Sequence, residues 1–400
     1  MMKVRRKREA RFGRRGLPVT VTLIGAVLMT VAAREKIPGY DALDYGFRFA
    51  SAIKTDVKDM GMAQTAIVME LAELGDLDTA VKRAPSIANW RRGTVLADLA
   101  AMLAQQDRPQ EARKLLAEAK QFRDSLDGWE TRRIDAHIAQ AYAMLGDMQK
   151  SEQLAEEVAE SDLRQYRGRS VATVAAAYAA RGEFERAMEY LGQLRSDEDY
   201  DVTWWRTSGY VEVASQQGLP KGKRFHALRE AVRSSDGIDG WKQAEALISI
   251  ADSFLGLGAR DEATTAVRKA DKVASAVSKD APSRAYMLAT LAQAWGRVGA
   301  ADRARELLAE AGPLIPEMLV IDQPGYYAQL ARGYVELGDR EAADEMYGVA
   351  LDSAASLENA RPRALAIVAV CRLMARDGTP LKPQVKQRLD DLYSGLRAPW

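Results

Sequence analysis

AQAYAMLGDMQKSEQLAEEV, residues 139–158, reads as two helices and the turn that joins them. Ala139 is small, Tyr142 is large and aromatic, and Gly146 closes the first helix. Glycine suits this place because the left-handed C-terminal cap has no room for a Cβ. Asp147 can then start the second helix, and Ser151, five residues past the glycine, is small again. Small residues on both arms let two antiparallel helices approach closely.

The same pattern recurs along the chain. Turn positions fall at Gly75, Asp107, Gly146, Gly182, Gly222, Gly258, Gly299, Gly338 and Gly378, at intervals of 32 to 41 residues. Seven residues before them stand Val68, Ala100, Ala139, Ala175, Ser215, Ala251, Ala292, Ala331 and Cys371. Four before them stand Leu71, Leu103, Tyr142, Tyr178, Gly218, Phe254, Trp295, Tyr334 and Met374. The column eight before runs from Ile67 and Leu99 to Leu330 and Val370, and five after the turn lies Ala or Ser in eight units. Offsets −8 and −4 share one helical face and fill the space between hairpins. Four columns held over eight or nine units predict an all-α solenoid of about nine antiparallel helical hairpins.

This array resembles the tetratricopeptide repeat (TPR). The resemblance is closest at residues 139–158 and in ARGYVELGDREAADEMYGVAL, residues 331–351, and it extends over about 57–378. It implies a superhelix whose concave face takes partner segments. Most intervals here exceed the family's usual 34, and its Pro at the repeat end is mostly absent, so the superhelix need not be regular.

Totals fit a folded chain: 47% hydrophobic, 28% charged, with 29 Gly and 13 Pro among 400 residues. The net charge of +1 is unevenly spread. Residues 1–33 hold eight Lys or Arg and one Glu, a balance of +7, which leaves −6 for the other 367 residues. A mildly acidic body argues against nucleic acid as a partner. Cys371 stands alone, so no intrachain disulfide is possible.

The basic stretch from Lys3 to Arg15 and the uncharged run Leu17–Ala33 have the layout of an export signal or signal anchor. The expected organisation is a basic cytoplasmic-side segment over 1–16, a hydrophobic helix over 17–33, cleaved or retained, and a lead-in over 34–56 with a helix from Leu43 to Ile53. The repeats would then span 57–378, and 379–400 would form a C-terminal cap. The basic flank stays on the cytoplasmic side, which puts the solenoid outside the cytoplasm, on the periplasmic side of the inner membrane in a bacterium. If 17–33 is not cut, the membrane is itself a partner. The first repeat looks poorly capped, which allows self-association end to end.

Candidate contact residues recur seventeen before the turn: Trp90, Trp129, Trp205 and Trp241, with Trp204 beside the third. Arg91, Arg92, Arg132, Arg133 and Arg206 follow them closely, as does Lys242. One reading is a basic-aromatic ridge for an acidic partner. The other is packing between hairpins, with nearby Asp residues such as Asp124 and Asp236 pairing with the arginines.

Nothing in the sequence forms a catalytic constellation. His137 and His226 lie far apart, Cys371 occupies a core column, and carboxylate pairs such as Glu156-Glu157 fall on solvated helix faces. The glycines are helix caps rather than a phosphate loop or dinucleotide fingerprint. The expectation is no catalysis, no cofactor and no metal. The chain reads as a protein-binding scaffold or assembly factor at the cell envelope. The alternatives are a recognition module for a ligand such as cell-wall glycan, or a regulatory subunit of a separate enzyme.

Overall fold

The computed structural model describes residues 39–159, 164–194, 200–276 and 284–397. The expected hydrophobic helix at 17–33 lies outside them. The described residues form nineteen α-helices and no strand. None of these helices is long and apolar enough to cross a membrane.

First helices of the hairpins are α2 (Val57–Glu73), α4 (Arg91–Gln105), α6 (Glu130–Met144), α8 (Arg164–Ala180), α10 (Tyr200–Ser215), α12 (Gly240–Gly256), α14 (Arg284–Arg297), α16 (Gln323–Glu336) and α18 (Ala360–Arg376). Second helices are α3 (Leu77–Arg83), α5 (Pro109–Asp124), α7 (Met148–Ala159), α9 (Phe184–Gly192), α11 (Lys221–Ser234), α13 (Arg260–Ser275), α15 (Ala301–Ala311) and α17 (Arg340–Ala355). Two helices remain, α1 (Tyr40–Ala52) and α19 (Pro383–Ser394).

Eight of the nine turn positions adopt the left-handed conformation, from Gly75 at φ 96° to Gly378 at φ 63°. Asp107 does so at φ 56° without glycine's freedom. Each of these turns is a Schellman cap. The residue after the turn donates its N–H to the carbonyl of the −4 column: Asp147 to Tyr142, Glu183 to Tyr178, Ala259 to Phe254, Asp339 to Tyr334, all at 2.9 Å. The conspicuous residue that fills the core thus also accepts the closing bond. The exception corrects the expected register. Gly222 lies inside the first turn of α11, and the α10–α11 connection is 216–220. There the helix-end carbonyls are satisfied by side chains instead: Arg224 Nε donates to the Ala214 carbonyl at 2.6 Å, and Gln216 to that of Glu212 at 3.0 Å.

Neighbouring first helices pack side by side, whereas neighbouring second helices diverge, so the first helices form the inner wall and the second helices the outer layer. The array does not end in an open cap. Helix α18 packs on α2, and α1 packs on α18 as the second helix of the ninth hairpin. One buried core cluster accordingly joins residues 42–141 to residues 328–389. Nine steps complete the circle, an average of about 40° per repeat. The segment expected as a lead-in therefore supplies α1, which begins three residues before the predicted helix. The first repeat has no exposed end to stack through. The expected cap, α19, lies across the closure: Lys382 and Arg388 pair with Asp344 and Asp352 of α17, while Lys386 pairs with Asp41 of α1 and Asp390 accepts from Tyr45 and Arg48.

The closing seam on the inner wall is ionic. Glu70 of α2 is 2% exposed. It accepts from Arg376 at 2.7 and 2.8 Å and from Arg372 at 3.2 Å, and Arg376 also reaches Glu73 at 3.1 Å.

Two outcomes are expected. Gly146→Ala should lower stability by about 1 kcal/mol in urea melts, because Ala strains the left-handed turn, while Asp107→Gly should be neutral or stabilising. Arg376→Ala should cost about 3 kcal/mol by breaking a buried pair, and hydrogen exchange should rise in α1, α2 and α18 before α10–α13. Uniform exchange across the ring would contradict closure at this seam.

Candidate interaction surfaces

The inward edge of the loops entering α4 and α6 gathers four of the expected contact residues. Trp90 and Trp129 are the N-cap residues of α4 and α6, and their rings meet edge to face at 5.6 Å. Arg133 lies against both, 4.9 Å from the Trp90 ring and 4.3 Å from Trp129, and Arg91 stands 4.5 Å from Trp90. A guanidinium between two indoles ties one repeat to the next. A second group forms around Lys242, which lies 3.7 Å from Trp241 and 5.7 Å from Trp204 and pairs with Glu245 at 2.8 Å.

The remaining expected residues go elsewhere. Arg92 turns onto Phe122 of its own hairpin at 5.3 Å. Arg132 reaches Asp135 at 3.7 Å. Arg206 lies over Tyr210 at 5.8 Å, and Trp205 takes Arg169 at 5.7 Å. Trp204 and Trp205 sit inside α10 rather than at its start, because the turn used to place them was Gly222. Asp124 pairs with its neighbour Arg123 within α5, and Asp236 pairs with Lys269 of α13, so neither meets the arginines that follow the tryptophans.

All large apolar side chains that are strongly exposed among the described residues lie on this same rim, where first helices begin. They are Val57, Trp129, Leu319, Val320 and Ile321, with Leu319 reaching 72% exposure. The opposite rim carries the tight Schellman turns.

Sequence reasoning missed the inner wall. Asp98 of α4 and His137 of α6 stand 2.5 Å apart, and Arg169 of α8 approaches Asp98 at 3.7 Å. Burial and the Arg169 guanidinium push the His137 imidazole below its usual range, and its Nδ1 faces both Asp98 at 2.5 Å and Arg169 at 3.2 Å. Glu212 of α10 faces Arg169 as well. Burial raises its carboxyl to about 7, since the guanidinium opposes this only weakly. Farther round, Arg297 of α14 joins Asp252 of α12 at 2.7 Å to Glu336 of α16 at 3.4 Å. The signal for these pairs was in the register. Asp98 and His137 both stand nine before their turns, and Arg297 and Glu336 both stand two before.

This belt holds helices together. Cys371 adds no nucleophile, since burial pushes its thiol up to about 12. Among the described residues no three His, Cys, Asp or Glu side chains gather to hold a metal.

With this geometry in place, one comparison is informative. The tetratricopeptide repeat family model matches residues 93–123, which are most of α4 and nearly all of α5, one whole hairpin. One hairpin of this helical array is thus similar to a tetratricopeptide repeat, a kind of repeat that generally mediates protein–protein contacts. No curated protein matches the sequence. One solved structure that matches is described as a circular tandem repeat protein with novel repeat topology and enhanced subunit contact surfaces. It is 12% identical, covers 90% of this chain and 96% of its own, and has a TM-score of 0.21. At that score it carries no argument, and closure rests on this chain's own contacts.

Glu212 gives a pH prediction. Its folded carboxyl holds its proton up to about 7, against 4.5 ordinarily, so its contribution is complete below about 4.5 and lost as pH rises through 7. Glu212→Gln should therefore raise Tm relative to the parent progressively from pH 5 to pH 8. An unchanged difference across that range would show that Glu212 is solvated.

Proposed function

We propose that the protein is a non-catalytic scaffold at the cell envelope, tethered or delivered by its N-terminal segment, and that it grips its protein partner through the rim where first helices begin. The observation that carries this reading is the placement of the exposed apolar side chains. Val57, Trp129, Leu319, Val320 and Ile321 share one rim, and isolated exposed apolar residues would have no reason to collect there.

The polarity of the ring agrees with a membrane tether. Gly39, at φ 90°, abuts the backbone of Met374 and Ala375 at the end of α18. The N-terminal segment thus joins the ring on the turn rim. The basic residues before position 16 keep their side cytoplasmic and place the ring on the other.

The test is affinity purification of the full-length chain from native membranes in mild detergent. The parent should bring one or two proteins in near-equal amount. Leu319→Ser, Val320→Ser and Ile321→Ser together should lose them while leaving the melt unchanged, since all three side chains are exposed. A chain that purifies alone, or a triple variant that keeps its partner, would overturn the reading.

A further inference from the structure

Neighbouring second helices diverge around the ring, and the troughs between them are closed in a regular way. Opposite charges bridge α1 to α3 (Asp44–Arg83), α3 to α5 (Asp78–Arg108), α9 to α11 (Glu185–Lys223) and α13 to α15 (Asp271–Arg303). Glu152 joins α7 to α9 through Arg186 and Tyr190. Between α17 and α1 the trough is filled by a whole amphipathic helix, α19, which buries Leu389 and pairs with acidic or basic groups on both walls.

The trough between α5 and α7 has no such bridge among the described residues, and it is wide. It is an open groove of about 720 Å³ on the outer face, continuous with a smaller one of about 190 Å³. Its floor includes Leu116, Tyr142 and Leu145. Its lining holds three cations, Arg113, Lys120 and Lys150, and two carboxylates, Asp124, which pairs with Arg123, and Asp147; Lys120 of α5 and Lys150 of α7 stand 5.8 and 5.4 Å from the same Tyr142 ring. Lys150 has Asp147 at 2.5 Å, but Lys120 and Arg113 have no ion-pair partner among the described residues. Like charges facing across a trough repel unless an anion lies between them.

We propose that the α5–α7 groove is a second docking site, built for an acidic amphipathic helix of a partner protein, which seats there as α19 seats between α17 and α1. Apolar side chains of that helix cover Tyr142 and Leu145, and its carboxylates pair with Arg113 and Lys120. The chain's own N-terminal segment does not fit, because its +7 balance would be repelled. The site is independent of the apolar rim, so either proposal can fail alone.

The probe is a fluorescein-labelled peptide of α19's length, 12 residues, with Leu along one helical face and Glu flanking it, titrated against the full chain by anisotropy. A companion peptide carries Lys in place of Glu. The Glu peptide should bind saturably and at least about tenfold more tightly than the Lys peptide. Arg113→Glu with Lys120→Glu, both on exposed side chains, should reverse that order. A photo-cross-linker at Gln121, on the groove wall, should capture the Glu peptide. No saturable binding, equal affinity for the two peptides, or cross-links that spare the groove would each overturn the proposal. The Leu319–Ile321 triple variant should bind the peptide as the parent does, and loss in that variant would place the peptide on the rim instead.

Discussion

Glu70 lies on the inner wall where the first helix of the last hairpin, α18, meets that of the first, α2. A carboxylate this buried is costly to desolvate, and it is tolerated because Arg372 and Arg376 arrive from α18 with good geometry. Helical repeats add stability through contacts with neighbours, so an open array always has two units with one neighbour each. Closure removes those ends. It does so on both layers at once, by ions on the inner wall and by α1 and α19 on the outer layer.

How much of this could be read from residues alone follows from the range of the interaction involved. The helix pairs and their turns were legible because a glycine, a large residue four before it and a small residue five after it act within one hairpin. The positive φ of eight anchors shows that the turn column was real. The ninth failed where SQQGLPKGK offered two glycines and the local cap used neither, relying on Arg224 and Gln216. That single slip carried Trp204 and Trp205 from the start of a helix to its interior.

Relations between repeats were only half legible. Asp98 and His137 share an offset, as do Arg297 and Glu336, and as do Arg376 and Glu73 across the closure. Reading along columns for opposite charges, rather than for core residues only, would have found the inner belt. The tryptophan column pointed to both of its expected uses. Trp90 is tied into packing by Arg133, whereas Trp129 also shows half its surface. Closure itself was not legible, because it depends on the sum of nine small rotations. An error of a few degrees in each would turn a ring into a spiral, and no residue reports that angle.

The placement of α1 as the last repeat's second helix has a consequence for synthesis. Its partner α18 begins at residue 360, while α1 ends at residue 52. At ordinary translation rates of roughly 5–20 residues per second, the apolar face of α1 waits about 15 to 60 s for the surface it covers. Repeats two through eight can form in order behind the ribosome, each on its predecessor. The ends cannot. Until α18 and α19 are made, α1 has only α2 beside it, and the face that takes Tyr393 against Phe49 stays uncovered.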